Sequence, residues 1–213
     1  MEFERMLELV GNEPVFETSL LLAGKVNPNI VRLQLTRWTN SGKLYQIRRG
    51  LYAIAPPYQK VKPHPFLVAN RMQRASCVSG LSALAFFGLI PDTVYSTFSV
   101  TTGRPERCET PLGIFEFRHI KPELLRGYRM NELGNGQQAF VAISEKALLD
   151  LVYLQPAGDS LAYLQELRLQ NLERLNLAEL QSQAESFGSP KMLRAVEVIR
   201  DLAKAESQEY EML

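Results

Sequence analysis

Apolar side chains in the first forty residues recur at helical spacing and predict three short helices. Gly11 ends the first, because glycine readily leaves the helical conformation. Thr18 is the expected N-cap of the second. Asn27 is the expected N-cap of the third, and Pro28 suits its first position because a first-turn N–H has no helical partner. The predicted helices cover residues 2–10, 18–22 and 28–41.

The third predicted helix has one apolar stripe and one polar face. At about 100° per residue, Val31, Leu35 and Trp38 fall on the same side and are expected to be buried. Asn and Arg side chains hydrogen-bond to base edges, and Thr or Leu contacts the thymine methyl, so this face suits the DNA major groove. A solvated amphipathic helix is the alternative. The opposite arc carries Asn29, Arg32, Thr36, Arg37 and Asn40, with Leu33 as an apolar exception.

A hairpin is predicted directly after this helix. Residues 43–48 read as a strand in which Leu44 and Ile47 are slightly out of step, and residues 51–54 form the return strand. Arg49 and Gly50 make the turn, since glycine tolerates a positive φ. Three helices followed by a hairpin indicate a winged helix-turn-helix. Arginines at the hairpin tip are expected to contact phosphates or the minor groove, which positions the protein on DNA.

Four prolines between residues 56 and 65 mark a boundary in the chain. Proline lacks a backbone donor, so we expect an extended linker there. The predicted units are a winged-helix domain, residues 1–58, and a mixed α/β C-terminal domain, residues 66–213, that ends in helices. The fold class is therefore α+β. Predicted helices cover residues 65–74, 79–87, 145–154, 159–170, 176–186 and 190–206, and predicted strands cover 95–100, 114–120 and 140–143.

Three details of the C-terminal part are also predicted. Ser79 and Ser144 are expected helix N-caps, and residues 134–136 read as a hairpin turn rather than a phosphate-binding loop. Residues beyond Ala205 are expected to fray.

Charge is segregated along the chain, although the net charge is only +1. Residues 1–17 carry −4, residues 18–91 carry +10 without any Asp or Glu, and residues 92–213 carry −5. An acid-free basic stretch favours binding to a polyanion, because protein cations that bind phosphates displace the counterions condensed there, and the release of these counterions favours binding. The alternative is that these cations pair with acids elsewhere in the fold.

Composition narrows the class of protein further. The longest apolar run, residues 81–90, is too short for the roughly 20 residues of a membrane helix, and the N-terminus lacks signal-peptide order. Cys77 and Cys108 do not have the spacing of a zinc site. We expect a soluble cytoplasmic protein with reduced, unreactive thiols, without a membrane partner and without a cofactor.

Candidate catalytic residues are few. Asp92 and the triplet Glu116, Phe117, Arg118 faintly resemble a metal-dependent nuclease pattern, but arginine stands where such sites carry lysine. A nuclease targeted by the winged helix is therefore the alternative function. His64 and His119 are expected to be structural or surface residues, and Asp150 a structural partner of a nearby cation. We predict no catalytic residue, no metal ligand and no enzymatic activity.

The predicted partner is double-stranded DNA. The side chains expected to contact it come from the third helix, the residues before it and the hairpin. They are Lys25, Asn29, Arg32, Thr36, Arg37, Asn40, Lys43, Arg48 and Arg49.

Short motifs follow one another in a fixed order along the chain. They are Trp38 with Gly42 and Leu44, residues 49–52, His64 and Pro65 with Ala69, residues 78–84, 88–90, 117–120 and 144–150. This order resembles that of the AbiEi-type antitoxins of type IV toxin–antitoxin systems. The last motif resembles the family's Glu-Arg-Ala-Leu-Leu-Asp segment, with Lys146 in place of arginine.

That resemblance implies a transcriptional repressor that binds repeats upstream of its own operon. It also implies an antitoxin whose C-terminal domain counters a nucleotidyltransferase-like toxin, generally without a stable complex. The antitoxin role comes from the resemblance alone.

Overall fold

The computed structural model describes residues 1–23, 26–92 and 94–211, and the main chain alone is considered for 209–211. Within these ranges the chain is a mixed α+β protein with two sheets. The N-terminal sheet is antiparallel with strand order β1-β3-β2. The elements up to residue 54 are α1 (Phe3–Val10), β1 (Phe16–Glu17), α2 (Thr18–Leu21), α3 (Pro28–Asn40), β2 (Leu44–Arg48) and β3 (Leu51–Ile54).

The three N-terminal helices and the hairpin lie where the pattern predicts them, but one cap is wrong. Thr18 is the first residue of α2 rather than its N-cap, and Glu17 occupies the cap position without a side-chain hydrogen bond. Both the N–H and the Oγ1 of Thr18 donate to the carbonyl of Gly50, at 2.9 and 3.4 Å. The threonine therefore fastens the hairpin turn to α2 instead of capping the helix.

Leu44 and Ile47 are out of step because they face different cores. Leu44 pairs with Ile54, and both pack in a cluster within residues 3–54, whereas Ile47 packs in the larger core of the rest of the chain. A β-bulge lies at Ile47, since Gln46 pairs with Tyr52 and Arg48 pairs with Leu51. Both faces of β2 therefore carry a buried apolar residue.

A hydrophobic cluster made entirely by residues 3–54 lies between α1, α3 and the N-terminal sheet. Trp38 of α3 meets Phe3 of α1 edge-on, with ring centroids 5.4 Å apart. The opposite face of the hairpin, including Ile47 and Leu51, joins the larger core of the rest of the chain. The division at residues 58 and 66 stays a prediction, since side chains before residue 58 contribute to both cores.

The second sheet is mixed, with strand order β6-β7-β5-β4-β9-β8. α4 and α5 pack against its central strands, while α8 and α9 pack on α6. The strands are β4 (Ser76–Val78), β5 (Ser96–Thr101), β6 (Glu106–Thr110), β7 (Gly113–His119), β8 (Tyr128–Glu132) and β9 (Gln138–Ala142). The helices are α4 (Pro65–Met72), α5 (Gly80–Phe86), α6 (Ser144–Leu154), α7 (Leu161–Glu166), α8 (Leu177–Glu185) and α9 (Pro190–Glu211).

Several expectations for this part need correction. Ser144 begins α6, and Ile143 holds the N-cap position, so the predicted serine cap does not form. α9 continues to Glu211 instead of fraying after Ala205. The predicted turn at residues 134–136 is confirmed between β8 and β9, with φ of 83° at Gly134. Strands β4, β6 and β8 were not predicted.

A buried polar cluster joins α6 to the start of α5. Ser79 stands at the N-cap position of α5, yet its Oγ donates to Asp150 Oδ2 at 2.6 Å rather than capping the helix. Lys146 Nζ donates to the other oxygen of Asp150, and its ammonium lies 5.4 Å from the Phe187 ring centroid. Burial raises the pKa of Asp150, against the opposing effect of Lys146 and Ser79. Asp150 is thus confirmed as a structural partner of a nearby cation.

Across the described ranges, none of the helices is both long enough and apolar enough to pass through a membrane.

Candidate nucleic-acid interface

The outer face of α3 is exposed and polar, as its periodicity predicts. Val31, Leu35 and Trp38 are buried. Asn27 accepts the N–H of Asn29 at 2.9 Å and so caps the helix. The stripe facing the core fixes the rotation of the helix, and the polar arc therefore faces solvent. The exposed residues of this arc are Asn29, Arg32, Thr36, Arg37 and Asn40.

Hydrogen bonds within the helix orient part of this face. Arg32 Nη1 donates to Asn29 Oδ1 at 3.3 Å, which uses one of the two lone pairs of the amide oxygen. Thr36 Oγ1 donates to the Arg32 carbonyl at 3.0 Å, so its proton is engaged within the helix. Asn29 and Arg32 therefore form one linked polar surface rather than two independent groups.

Two aliphatic side chains share the exposed face. Ile30 is 52% exposed and Leu33 is 51% exposed. The sequence pattern marks Leu33 as an apolar exception in the polar arc, whereas the only sequence signal for Ile30 is its position three residues earlier on the helix. The surface offers apolar contact as well as hydrogen-bond donors.

The hairpin tip places its two arginines differently. Gly50 has φ +82°, the left-handed conformation that the turn requires. Arg49 is exposed beside it. Arg48 Nη1 donates to the carbonyl of Met72, at the C-terminal end of α4. Arg49 is thus presented to solvent, while Arg48 joins the hairpin to the second part of the chain.

Lys43 and Lys25, the remaining two residues predicted to contact DNA, do not belong to α3. Lys43 is half-buried, with Nζ 4.6 Å from the Phe3 ring centroid and 5.8 Å from that of Tyr58. This cation–π contact ties the start of the hairpin to α1. Lys25 lies outside the described residues.

Most of the basic stretch has no acidic partner in the structure. Nine of its ten cations are described, and among these Arg74 forms an ion pair, with Glu17 at 2.6 Å. The hydrogen bond from Arg74 lowers the pKa of Glu17. Within the described ranges, pairing with acids therefore does not account for the positive charge of this stretch.

The sequence did not indicate that α4 adds cations beside the hairpin tip. A groove of about 460 Å³ is lined by Arg48 and Arg49 of the hairpin, by Arg71 of α4 and Arg74 just after it, and by Glu17, the ion-pair partner of Arg74. Arg71 and Arg74 belong to the basic stretch, but they lie after the proline segment, in the predicted C-terminal domain. Their charge was the available signal, and the tertiary contact of Arg48 with α4 was the missing information.

Asp92 and Glu116, the two carboxylates of the nuclease alternative, form ion pairs with different arginines. Asp92 Oδ1 lies 3.3 Å from Arg168 Nη1, and Glu116 Oε1 lies 3.4 Å from Arg107 Nε. The described part of the chain contains no group of three or more His, Cys, Asp or Glu side chains that could hold a metal ion. Asp92 and Glu116 are thus tied to different cations, and the geometry does not favour a two-carboxylate metal site.

The cysteines and histidines also occupy structural positions. Burial raises the pKa of the Cys77 thiol to about 12, and burial also raises the pKa of Cys108. Thiols with raised pKa values are poor nucleophiles at neutral pH. His64 Nδ1 accepts a backbone N–H at the start of α4, and His119 Nδ1 lies 2.9 Å from the carbonyl oxygen of Gly103.

Comparison with known proteins gives no relative from which to transfer a role: no protein-family model matches this chain, and no curated protein does.

Proposed function

We propose that the protein is a sequence-specific DNA-binding repressor whose residues 1–58 act as a winged helix. The exposed face of α3 carries this proposal, because Asn, Arg and Thr side chains lie opposite a buried stripe on a 13-residue capped helix. These are the side chains that read base edges in the major groove. The helix also lies in a stretch of +10 charge without acids, which suits a phosphate-lined surface.

The order of elements supports the winged-helix assignment. Helix, strand, two helices and a two-stranded hairpin follow one another, and the first strand pairs with the last to give the order β1-β3-β2. In this arrangement α3 is the recognition helix and the turn at Arg49 and Gly50 is the wing. Arg49 then contacts the phosphate backbone beside the helix.

We further propose that the chain is the antitoxin of a type IV toxin–antitoxin pair and represses its own operon. The support is the order of motifs shared with the AbiEi-type antitoxins. Lys146 and Asp150 belong to the last of these motifs and are fully buried, so that motif serves the packing of α6. The nucleotidyltransferase-like toxin is the proposed functional partner, generally without a stable complex.

Selection from a random duplex library tests the DNA-binding proposal. Purified protein should enrich one sequence motif, and that motif should occur in the region upstream of its own gene. The variant Arg32→Ala should enrich a more degenerate motif, whereas Arg5→Ala, which removes an exposed α1 arginine paired with Glu8, should enrich the same one. Failure of the wild-type protein to enrich any motif would contradict sequence-specific binding.

Co-expression tests the antitoxin proposal independently. The proposal predicts a nucleotidyltransferase-like gene beside this one, whose product should arrest growth when expressed alone, and this chain should restore growth. Restoration should persist in Arg32→Ala and Arg49→Ala, because the proposed antitoxin part lies after residue 58. Growth arrest that continues in the presence of the wild-type chain would contradict the antitoxin role.

A further inference from the structure

Leu33 lies close to the outermost line of α3. At about 100° per residue, it is about 200° from Val31, almost directly opposite the buried stripe. Its side chain is 51% exposed, and Ile30, one turn earlier, is 52% exposed. An apolar side chain therefore stands where α3 projects farthest from its own core.

The surroundings of Leu33 are polar and cationic rather than apolar. Residues three and four positions away share its surface, so Asn29, Ile30, Thr36 and Arg37 are its neighbours on the helix. No acidic residue occurs between positions 18 and 91. Two aliphatic side chains among unpaired cations make a poor surface for an apolar protein partner, which requires a larger patch depleted of charge.

DNA offers one apolar group in the major groove. This is the C5-methyl of thymine, and aliphatic side chains of a recognition helix contact it. A polyanionic partner also accounts for the flanking Arg32 and Arg37, which an apolar partner does not. The position of Leu33, its neighbours and the charge of the stretch therefore agree on the same type of contact.

We propose that Leu33, assisted by Ile30, reads thymine methyl groups in the operator. This inference rests on the proposed DNA-binding function. It assigns a specificity element to the centre of the α3 face, where donors such as Asn29 and Arg32 read the neighbouring base pairs. The operator should carry thymine at the base step facing Leu33.

Replacing thymine by deoxyuridine tests the inference, because deoxyuridine lacks only the methyl group. The probe is the duplex enriched by the wild-type protein, with each thymine replaced singly and binding measured by fluorescence anisotropy. At one or two positions the wild-type affinity should fall about fourfold, which corresponds to one methyl group left unburied. For Leu33→Ala the same replacement should have no effect at the position that Leu33 reads.

Leu9→Ala is the matched control, since Leu9 is an exposed leucine on α1. It should keep both the wild-type affinity and the loss caused by deoxyuridine. Two results would overturn the inference while leaving the repressor proposal intact: a selected duplex that tolerates every replacement, or a deoxyuridine effect that persists in both Leu33→Ala and Ile30→Ala. Equal wild-type binding to the selected and a scrambled duplex would instead overturn the repressor proposal itself.

Discussion

In the proposed DNA-binding surface, Asn29 and Arg32 have a different expected role from Arg49. Their hydrogen bond of 3.3 Å holds two donor groups together on the exposed face of α3. Arg49 stands apart, exposed at the hairpin turn. Base contacts discriminate among sequences, whereas phosphate contacts strengthen binding to all of them. Substitutions at these positions should therefore differ in kind as well as in size.

Arg32→Ala should relax the base preference at one operator position and weaken specific binding by about 1–3 kcal/mol. Arg49→Ala should weaken binding to every duplex and reduce the slope of log affinity against log salt by about 0.9. Anisotropy titrations on specific and scrambled duplexes measure both effects. Arg5→Ala is the control for loss of an exposed arginine in the same part of the chain. A uniform loss from Arg32→Ala would show that it contacts phosphate instead of a base.

The buried Lys146–Asp150 pair makes a prediction about stability. Lys146→Met leaves the Asp150 carboxylate buried with Ser79 as its remaining hydrogen-bond donor, and it should lower the free energy of unfolding by about 3–5 kcal/mol. Lys204→Met is the control, because Lys204 forms an exposed ion pair with Asp201 at 3.5 Å and should matter by less than about 1 kcal/mol. Urea unfolding measures both. Equal effects of the two substitutions would contradict a structural role for the buried pair.

At the scale of elements, the start of α4 depends on an imidazole. His64 Nδ1 accepts the backbone N–H of Phe66 at 3.1 Å, and the backbone N–H of His64 donates to Gln137 Oε1 at 2.7 Å. Desolvation lowers the pKa of His64 below its ordinary value. The cap requires the unprotonated ring, because a protonated imidazole has no acceptor nitrogen.

This cap should make stability depend on pH. The unfolded chain protonates His64 near pH 6.5, whereas the folded chain does so at lower pH, so stability is complete above about 6.5 and is lost as pH falls through the folded pKa. His64→Asn keeps an N-cap acceptor that does not titrate. Urea midpoints are measured between about pH 8 and about pH 5, a range that brackets the pKa of an imidazole. Over this range the midpoint should fall less for His64→Asn than for the wild-type protein. An equal fall of the urea midpoint with pH in the wild-type protein and in His64→Asn would contradict the role of His64 as this cap.

Local signals predicted the elements that local interactions determine. The start of α3 follows from Asn27 and Pro28, and the observed hydrogen bond confirms this cap. Thr18, Ser79 and Ser144 are equally good cap residues by type, but the side chains of Thr18 and Ser79 bond to partners distant in sequence. A cap preference therefore fails where a tertiary partner competes for the same hydroxyl group.

The strands that were not predicted are short or lie at edges of the second sheet. β6 (Glu106–Thr110) and β8 (Tyr128–Glu132) are the outer strands, and their exposed polar residues hide the alternation of a buried strand. β4 (Ser76–Val78) is buried throughout but has only three residues. Non-local pairing creates these strands, so their own composition carries little signal.

For the candidate interface too, the sequence predicts what local periodicity determines and misses the contacts between elements. Helical periodicity alone placed Asn29, Arg32, Thr36, Arg37 and Asn40 on one exposed face. The attachment of Arg48 to α4 and of Lys43 to Phe3 depends on contacts between elements, and no spacing in the sequence reports it.

At the scale of the whole molecule, contacts between the hairpin and the end of α4 bring two parts of the basic stretch together. Arg48 bonds to the end of α4, and the ion pair between Arg74 and Glu17 spans the same junction. The hairpin is thereby fixed beside Arg71 of α4 and Arg74 just after it, and we propose that this folded basic surface is the one that binds DNA. A surface of this charge should bind with strong salt dependence, and specificity should come from α3.

Salt-dependent binding to the region upstream of the gene is the most direct test of the repressor proposal. A labelled duplex from that region and a scrambled duplex of equal composition are titrated by fluorescence anisotropy from low salt to about 150 mM. We predict a preference of about tenfold or more for the upstream duplex at the highest salt, together with a linear fall of log affinity with log salt. Equal affinity for both duplexes, or no binding to either, would contradict a sequence-specific repressor.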